Sequence, residues 1–158
     1  GRTASNVTAE TTLRLAKASS KFIGVKEASG NLEQCMKIIK DAPKGFMLIS
    51  GDDMLTVPLY SLGSVGVISV LANAFPMIFQ KMKDHAFSNE FAKATKEQFR
   101  ILDINGLMYE EGNPVGVKYL LGEMGICKNN VRLPHAPASK ALQKKISDLY
   151  GKMKTRKG

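Results

Sequence analysis

The chain has 158 residues, 44% of them apolar and 23% charged, with a formal net charge of +9 and no tryptophan. That length and balance fit one globular unit with a core of its own. No apolar run approaches the ~20 residues that cross a membrane, and no charged-then-apolar start marks an export signal. Basic residues are spread along the chain except for Lys152, Lys154, Arg156 and Lys157, a solvated helix end rather than a nucleic-acid-binding stripe. Cys35 and Cys127 stand far apart, and His85 and His135 are isolated. No metal is therefore expected, and free thiols in a reducing cytoplasm are.

Taken in order, the pattern alternates short strands with helices, the signature of parallel βα units. Thr8 is predicted to cap a helix carrying Leu13, Leu15 and Ala16 that ends near Ser19-Ser20. A strand follows at Phe22 to Lys26. Asn31 caps a second helix whose Leu32, Cys35, Met36 and Ile39 form an apolar stripe, and Pro43-Lys44-Gly45 turns the chain. Phe46 to Ile49 forms the next strand. Asp52 or Asp53 is expected to cap a helix through Leu55, Leu59 and Leu62, with Pro58 in its first turns and Gly63 at its end.

A third strand is predicted over Val65 to Ser69, then a loop to Asn73 and a helix from Pro76 to about Asp84. From Ser88 the strand signal stops. Helices are expected over Ser88 to about Met108, Pro114 to about Met124 and Ser139 to about Lys152. Pro114 suits a first helical turn, where a missing N–H costs nothing. This change of pattern sets a boundary, with residues 1–86 as βα units and 87–158 as a helical region.

Lys26 is the leading candidate for chemistry. A strand as short and apolar as Phe22-Ile23-Gly24-Val25 is expected to be buried on both faces, so a lysine at its carboxyl end enters poorly solvated space. Such surroundings favour the neutral amine, the form that attacks a carbonyl to make a Schiff base. Alternation sets Gly24 and Lys26 on one face, and the missing side chain at Gly24 is expected to leave room beside the amine. Asp52 and Asp53 read as structural helix caps rather than an acid–base pair. The glycines around Gly63 and Gly66 make no phosphate-binding motif.

Five segments carry a resemblance: Gly1-Arg2-Thr3, Gly24 to Gly30, Ser50-Gly51-Asp52-Asp53, Gly66 to Asn73, and Asn113 to Lys118. In order and spacing they resemble the dihydrodipicolinate synthase family, pyruvate-dependent lyases of lysine (diaminopimelate) biosynthesis, from Gly1 to about Tyr150. The resemblance implies the second half of a (β/α)8 barrel, three parallel strands with helices, followed by a carboxyl-terminal helical tail. The family's threonine and tyrosine proton relay is then expected upstream of Gly1.

It further implies that Lys26 forms a Schiff base with pyruvate and that the enamine attacks L-aspartate 4-semialdehyde, giving 4-hydroxy-tetrahydrodipicolinate with no cofactor. Arg2 would take a substrate carboxylate, Gly51 and Ile68 would meet the substrate or the lysine through their backbones, and Asn113 would stand behind the site wall. Family members are commonly tetrameric. Sister Schiff-base enzymes, N-acetylneuraminate lyase and keto-deoxy sugar acid aldolases, share the lysine and the barrel; Arg2 and the Ser50-to-Asp53 run favour the synthase. A chain without the amino half is expected to be inactive alone, which leaves a non-catalytic fragment as the other reading.

Overall fold

The computed structural model describes residues 3–155. Helix α1 (Ala9–Ala18) leads into strand β1 (Gly24–Glu27), α2 (Leu32–Asp41), β2 (Met47–Ser50), α3 (Thr56–Leu62) and β3 (Gly66–Val67). Helices α4 (Pro76–Phe87), α5 (Phe91–Asn105), α6 (Val115–Glu123) and α7 (Lys140–Thr155) follow. The strands form one parallel sheet in the order β1-β2-β3. The fold is α/β, and its strands precede its run of helices.

Local chemistry sets several of these boundaries. The Thr8 side chain accepts from the Thr11 N–H, and Asn31 Oδ1 from the Gln34 N–H at 3.0 Å, each satisfying a donor that the first helical turn leaves open. Gly63 closes α3 at φ 106°, a left-handed conformation that a residue with a Cβ resists. Pro114 stands immediately before α6, one position earlier than the periodicity suggests.

Other expectations are corrected. Neither Asp52 nor Asp53 caps α3: Asp52 Oδ1 accepts from the Met54 N–H at 2.8 Å, and Asp53 reaches across to the segment after β3. The start of α3 is held instead by Gln98 of α5, which accepts from the Val57 N–H at 3.0 Å and donates to the Met54 carbonyl at 2.6 Å. Strands β1 and β3 are shorter than predicted, at the two open sides of the sheet, whereas β2 keeps its predicted length and starts one residue later, at Met47. Ile23 is 65% exposed, and β3 pairs with β2 alone, over Gly66 and Val67. The expected helix from Ser88 begins only at Phe91, after a turn in which Asn89 has φ 60°. On α1 the buried residues are Thr12 and Ala16, and Leu15 is exposed.

The two faces of the sheet differ. Val25 and Leu48 pack against Cys35 and Ile38 of α2 and Leu59 of α3, a small core in which each buried aliphatic side chain contributes about 1.5–3 kcal/mol. Gly24, Lys26, Met47, Ile49 and Gly66 share the other face, where none is fully buried. A larger core runs from Val57 of α3 to Ile146 of α7, with Ile101, Ile104, Met108, Leu120 and Leu142 fully buried. It crosses residue 87 without a break. Gly116 lets α6 approach the turn after α5, since a Cβ there would lie 2.4 Å from the Leu107 carbonyl oxygen.

Candidate active site

Lys26 is the next-to-last residue of β1, and Gly51 and Ile68 directly follow β2 and β3, so all three stand on the carboxyl side of the sheet. Pairing of Lys26 with Ile49 and of Ile49 with Gly66 puts the three strand ends in register. The Gly51 N–H donates to the Glu27 carbonyl at 2.7 Å and the Ile68 N–H to the Ser50 carbonyl at 2.8 Å, so the backbone next to each candidate is fixed. These residues line one cleft of about 990 Å³. Asn113, Tyr109 and Lys118 contribute to its helical wall.

Lys26 is exposed, contrary to the burial expected of it. The cause is the width of the sheet: β1 is an edge strand, and on its open side Lys26 also borders a groove of about 600 Å³ with Val7, Leu15, Phe22 and Phe46. Gly24 is not the residue that makes room for the amine. A Cβ there would lie 2.6 Å from the Met47 carbonyl oxygen, so this glycine serves the close pairing of β1 with β2. Gly51 borders the lysine instead: a Cβ there would lie 2.9 Å from Lys26 Cε and 2.6 Å from Ala28 Cβ.

Two buried carboxylates stand next to cleft residues along the chain, Glu27 after Lys26 and Asp53 after Asp52, and the sequence reading gave neither this place. Glu27 accepts from the Ser29 N–H at 3.1 Å, Gln34 Nε2 at 2.9 Å and the Cys35 thiol at 3.2 Å, holding the turn after the lysine. Burial, reinforced by Glu27, pushes the Cys35 thiol up to about 12. Asp53 Oδ2 accepts from the Leu71 N–H at 2.9 Å and the Val70 N–H at 3.2 Å. Burial pushes its carboxyl up, against the downward pull of hydrogen bonds from Ser69, Leu71 and Val70. The signal for both was an acid beside a strand end, which also describes an ordinary helix cap.

Arg2 lies outside the described residues. Among the described residues no group of three or more His, Cys, Asp or Glu side chains is arranged to hold a metal ion. Both cysteines are free thiols, Cys35 buried and Cys127 exposed. No described helix is long and apolar enough to cross a membrane.

Parallel strands backed by helices, with candidate reactive groups gathered at the strands' carboxyl ends, define an α/β protein of the (β/α)-barrel kind. The profile of the Dihydrodipicolinate synthetase family matches residues 1–152, and the chain belongs to that family. It is 50% identical over 153 residues to a 4-hydroxy-tetrahydrodipicolinate synthase of Cytophaga hutchinsonii, covering 97% of this chain and 51% of that protein. A dihydrodipicolinate synthase structure from Cyanidioschyzon merolae with lysine bound superposes with a TM-score of 0.90 at 32% identity, covering 96% of this chain and 51% of that one. The chloride-inhibited Acinetobacter baumannii enzyme in complex with pyruvate gives 0.88 at 26% identity, covering 94% and 50%. The chain thus spans about half the length of the relatives it matches.

Proposed function

We propose that this chain is the carboxyl-terminal half of a 4-hydroxy-tetrahydrodipicolinate synthase and that Lys26 is its Schiff-base lysine. The observation that carries the reading is the convergence of Lys26, Gly51, Ile68 and Asn113 on one cleft at the carboxyl ends of parallel strands. The neutral Lys26 amine attacks C2 of pyruvate, and loss of water gives the imine. The protonated imine draws electrons from C3, which loses a proton to become the enamine carbon, so no cofactor is required. That carbon attacks the aldehyde of L-aspartate 4-semialdehyde. The semialdehyde's own amine then adds to C2, closing the ring and freeing Lys26 as 4-hydroxy-tetrahydrodipicolinate leaves.

Gly51 gives the lysine stem its path, and the Ile68 carbonyl is the acceptor or relay point for a proton near the amine. Asn113 supports the opposite wall, and Arg2 takes a substrate carboxylate bidentately. Residues 1–86 then form the barrel part and 87–158 the helical part, sharing one core. The order of elements, three strands first and helices after, supports the carboxyl-terminal assignment. The whole enzyme is an oligomer, a tetramer by the family's habit. Free thiols at Cys35 and Cys127 support the cytoplasm as its compartment.

Borohydride reduction of the intact enzyme with pyruvate is expected to add mass to the peptide that carries Lys26. Label on Lys21 instead would overturn the assignment. Consumption of pyruvate is expected only when aspartate semialdehyde is supplied; faster turnover with N-acetylmannosamine or glyceraldehyde would transfer the chain to a sister aldolase.

A further inference from the structure

Asp53 is 2% exposed, and the chemistry above does not use it. It lies two residues beyond Gly51, the glycine beside Lys26, yet its carboxylate accepts from the N–H groups of Val70 and Leu71. Those two residues follow Ile68 and Ser69 directly. Ile68, Ser69 and Val70 form the cleft wall that faces Lys26, and the sheet does little to fix them. Strand β3 is only two residues long, and its continuation has one backbone bond to the sheet, from Ile68 to Ser50. Beyond Ile68, Asp53 is the tie between the wall and the turn that carries Gly51.

We infer that Asp53 is a positioning residue that sets the Ile68-to-Val70 wall relative to Lys26. The inference rests on the reading of Lys26 as the Schiff-base lysine. The requirement is geometric. A backbone carbonyl that receives or holds a proton from the imine region works only at hydrogen-bond distance, and a displacement of about 1 Å costs on the order of 10²-fold in rate. A carboxylate suits the task because one of its oxygens can accept from two successive N–H groups at once, as Asp53 Oδ2 does. Asparagine, nearly the same in shape, offers those two N–H groups only a neutral oxygen, so it loses the charge-assisted strength of both bonds.

The test uses the intact enzyme with Asp53→Asn, and Gln98→Ala as a destabilised control whose lost bonds lie at the start of α3. For Asp53→Asn, kcat and the rate of borohydride-trapped adduct on Lys26 are expected to fall about 10- to 100-fold, with KM for pyruvate changed less than threefold. Amide exchange at Val70 and Leu71 is expected to speed up. Gln98→Ala is expected to lower the thermal midpoint with kcat within about threefold of the unaltered enzyme. An unchanged kcat in Asp53→Asn would overturn the inference alone. So would an equal loss in Gln98→Ala, because the effect would then be one of stability. Absence of label on Lys26 in the unaltered enzyme would instead overturn the reading on which the inference rests.

Discussion

At Gly51 one added methyl group would meet three neighbours, the Ala28 Cβ, Lys26 Cε and the Glu27 carbonyl, at 2.6, 2.9 and 3.0 Å. The lysine stem can swing aside, but the other two are held by the backbone, so the turn itself has to shift. Gly51→Ala is expected to cost about 1–3 kcal/mol in urea unfolding and to slow imine trapping on Lys26 in the intact enzyme. Trapping at the unaltered rate would show that the lysine has another path. Cys35 behaves differently, since its buried thiol bonds Glu27 and its pKa is pushed up to about 12 from an ordinary 9. A thiol raised in the folded state favours the neutral form, so its contribution to stability is complete below about pH 9 and is lost as pH rises toward 12. At pH 8 one alkylation adduct, on exposed Cys127, is expected for the folded chain and two after denaturation. Rapid modification of Cys35 in the native chain would contradict the buried bond to Glu27.

Among the elements, helices with a local signal were legible. Thr8 and Asn31 cap α1 and α2 as their side chains dictate, Gly63 ends α3, and α6 and α7 fall within a few residues of their predicted spans. What escaped depends on partners far along the chain. Asp53 beside a helix start reads as a cap until Val70 and Leu71 are seen within its reach, and the cap of α3 comes from Gln98, more than 40 positions away. The strand ends escaped too, because strand length follows from neighbouring strands rather than from the strand's own residues. The cleft residues Gly51, Ile68 and Asn113 were legible only through family resemblance; composition alone would have made them a turn, an apolar strand end and a helix flank. Gln98→Ala tests the long-range cap directly. It leaves the Val57 N–H and Met54 carbonyl unpaired in a largely buried setting, with an expected loss of about 1–3 kcal/mol in denaturant unfolding. A loss below ~0.5 kcal/mol would mean that α3 starts without it.

Over the whole molecule, the three-stranded sheet has an open side at β1 and another at β3, and one face carries Lys26 without cover. Phe22, Ile23 and Val65 are exposed along those sides, and the groove beside β1 is lined by Val7, Leu15 and Phe46. An open strand edge next to apolar surface favours association, so the isolated chain is expected to self-associate in light scattering unless a segment pairs with it. The same opening leaves Lys26 in water and, on the proposed carboxyl-terminal reading, apart from the proton-relay groups that the resemblance implies. A missing relay group typically costs about 10²–10⁴-fold in rate, before any loss from an unformed pocket. The chain alone is therefore expected to be nearly inactive, and mixing it with the family's amino-terminal half is expected to restore imine trapping on Lys26 and turnover together. Unassisted turnover near that of a full-length enzyme would show that the relay placed upstream of Gly1 is not needed, and would put the proton-transfer groups among the residues of this chain.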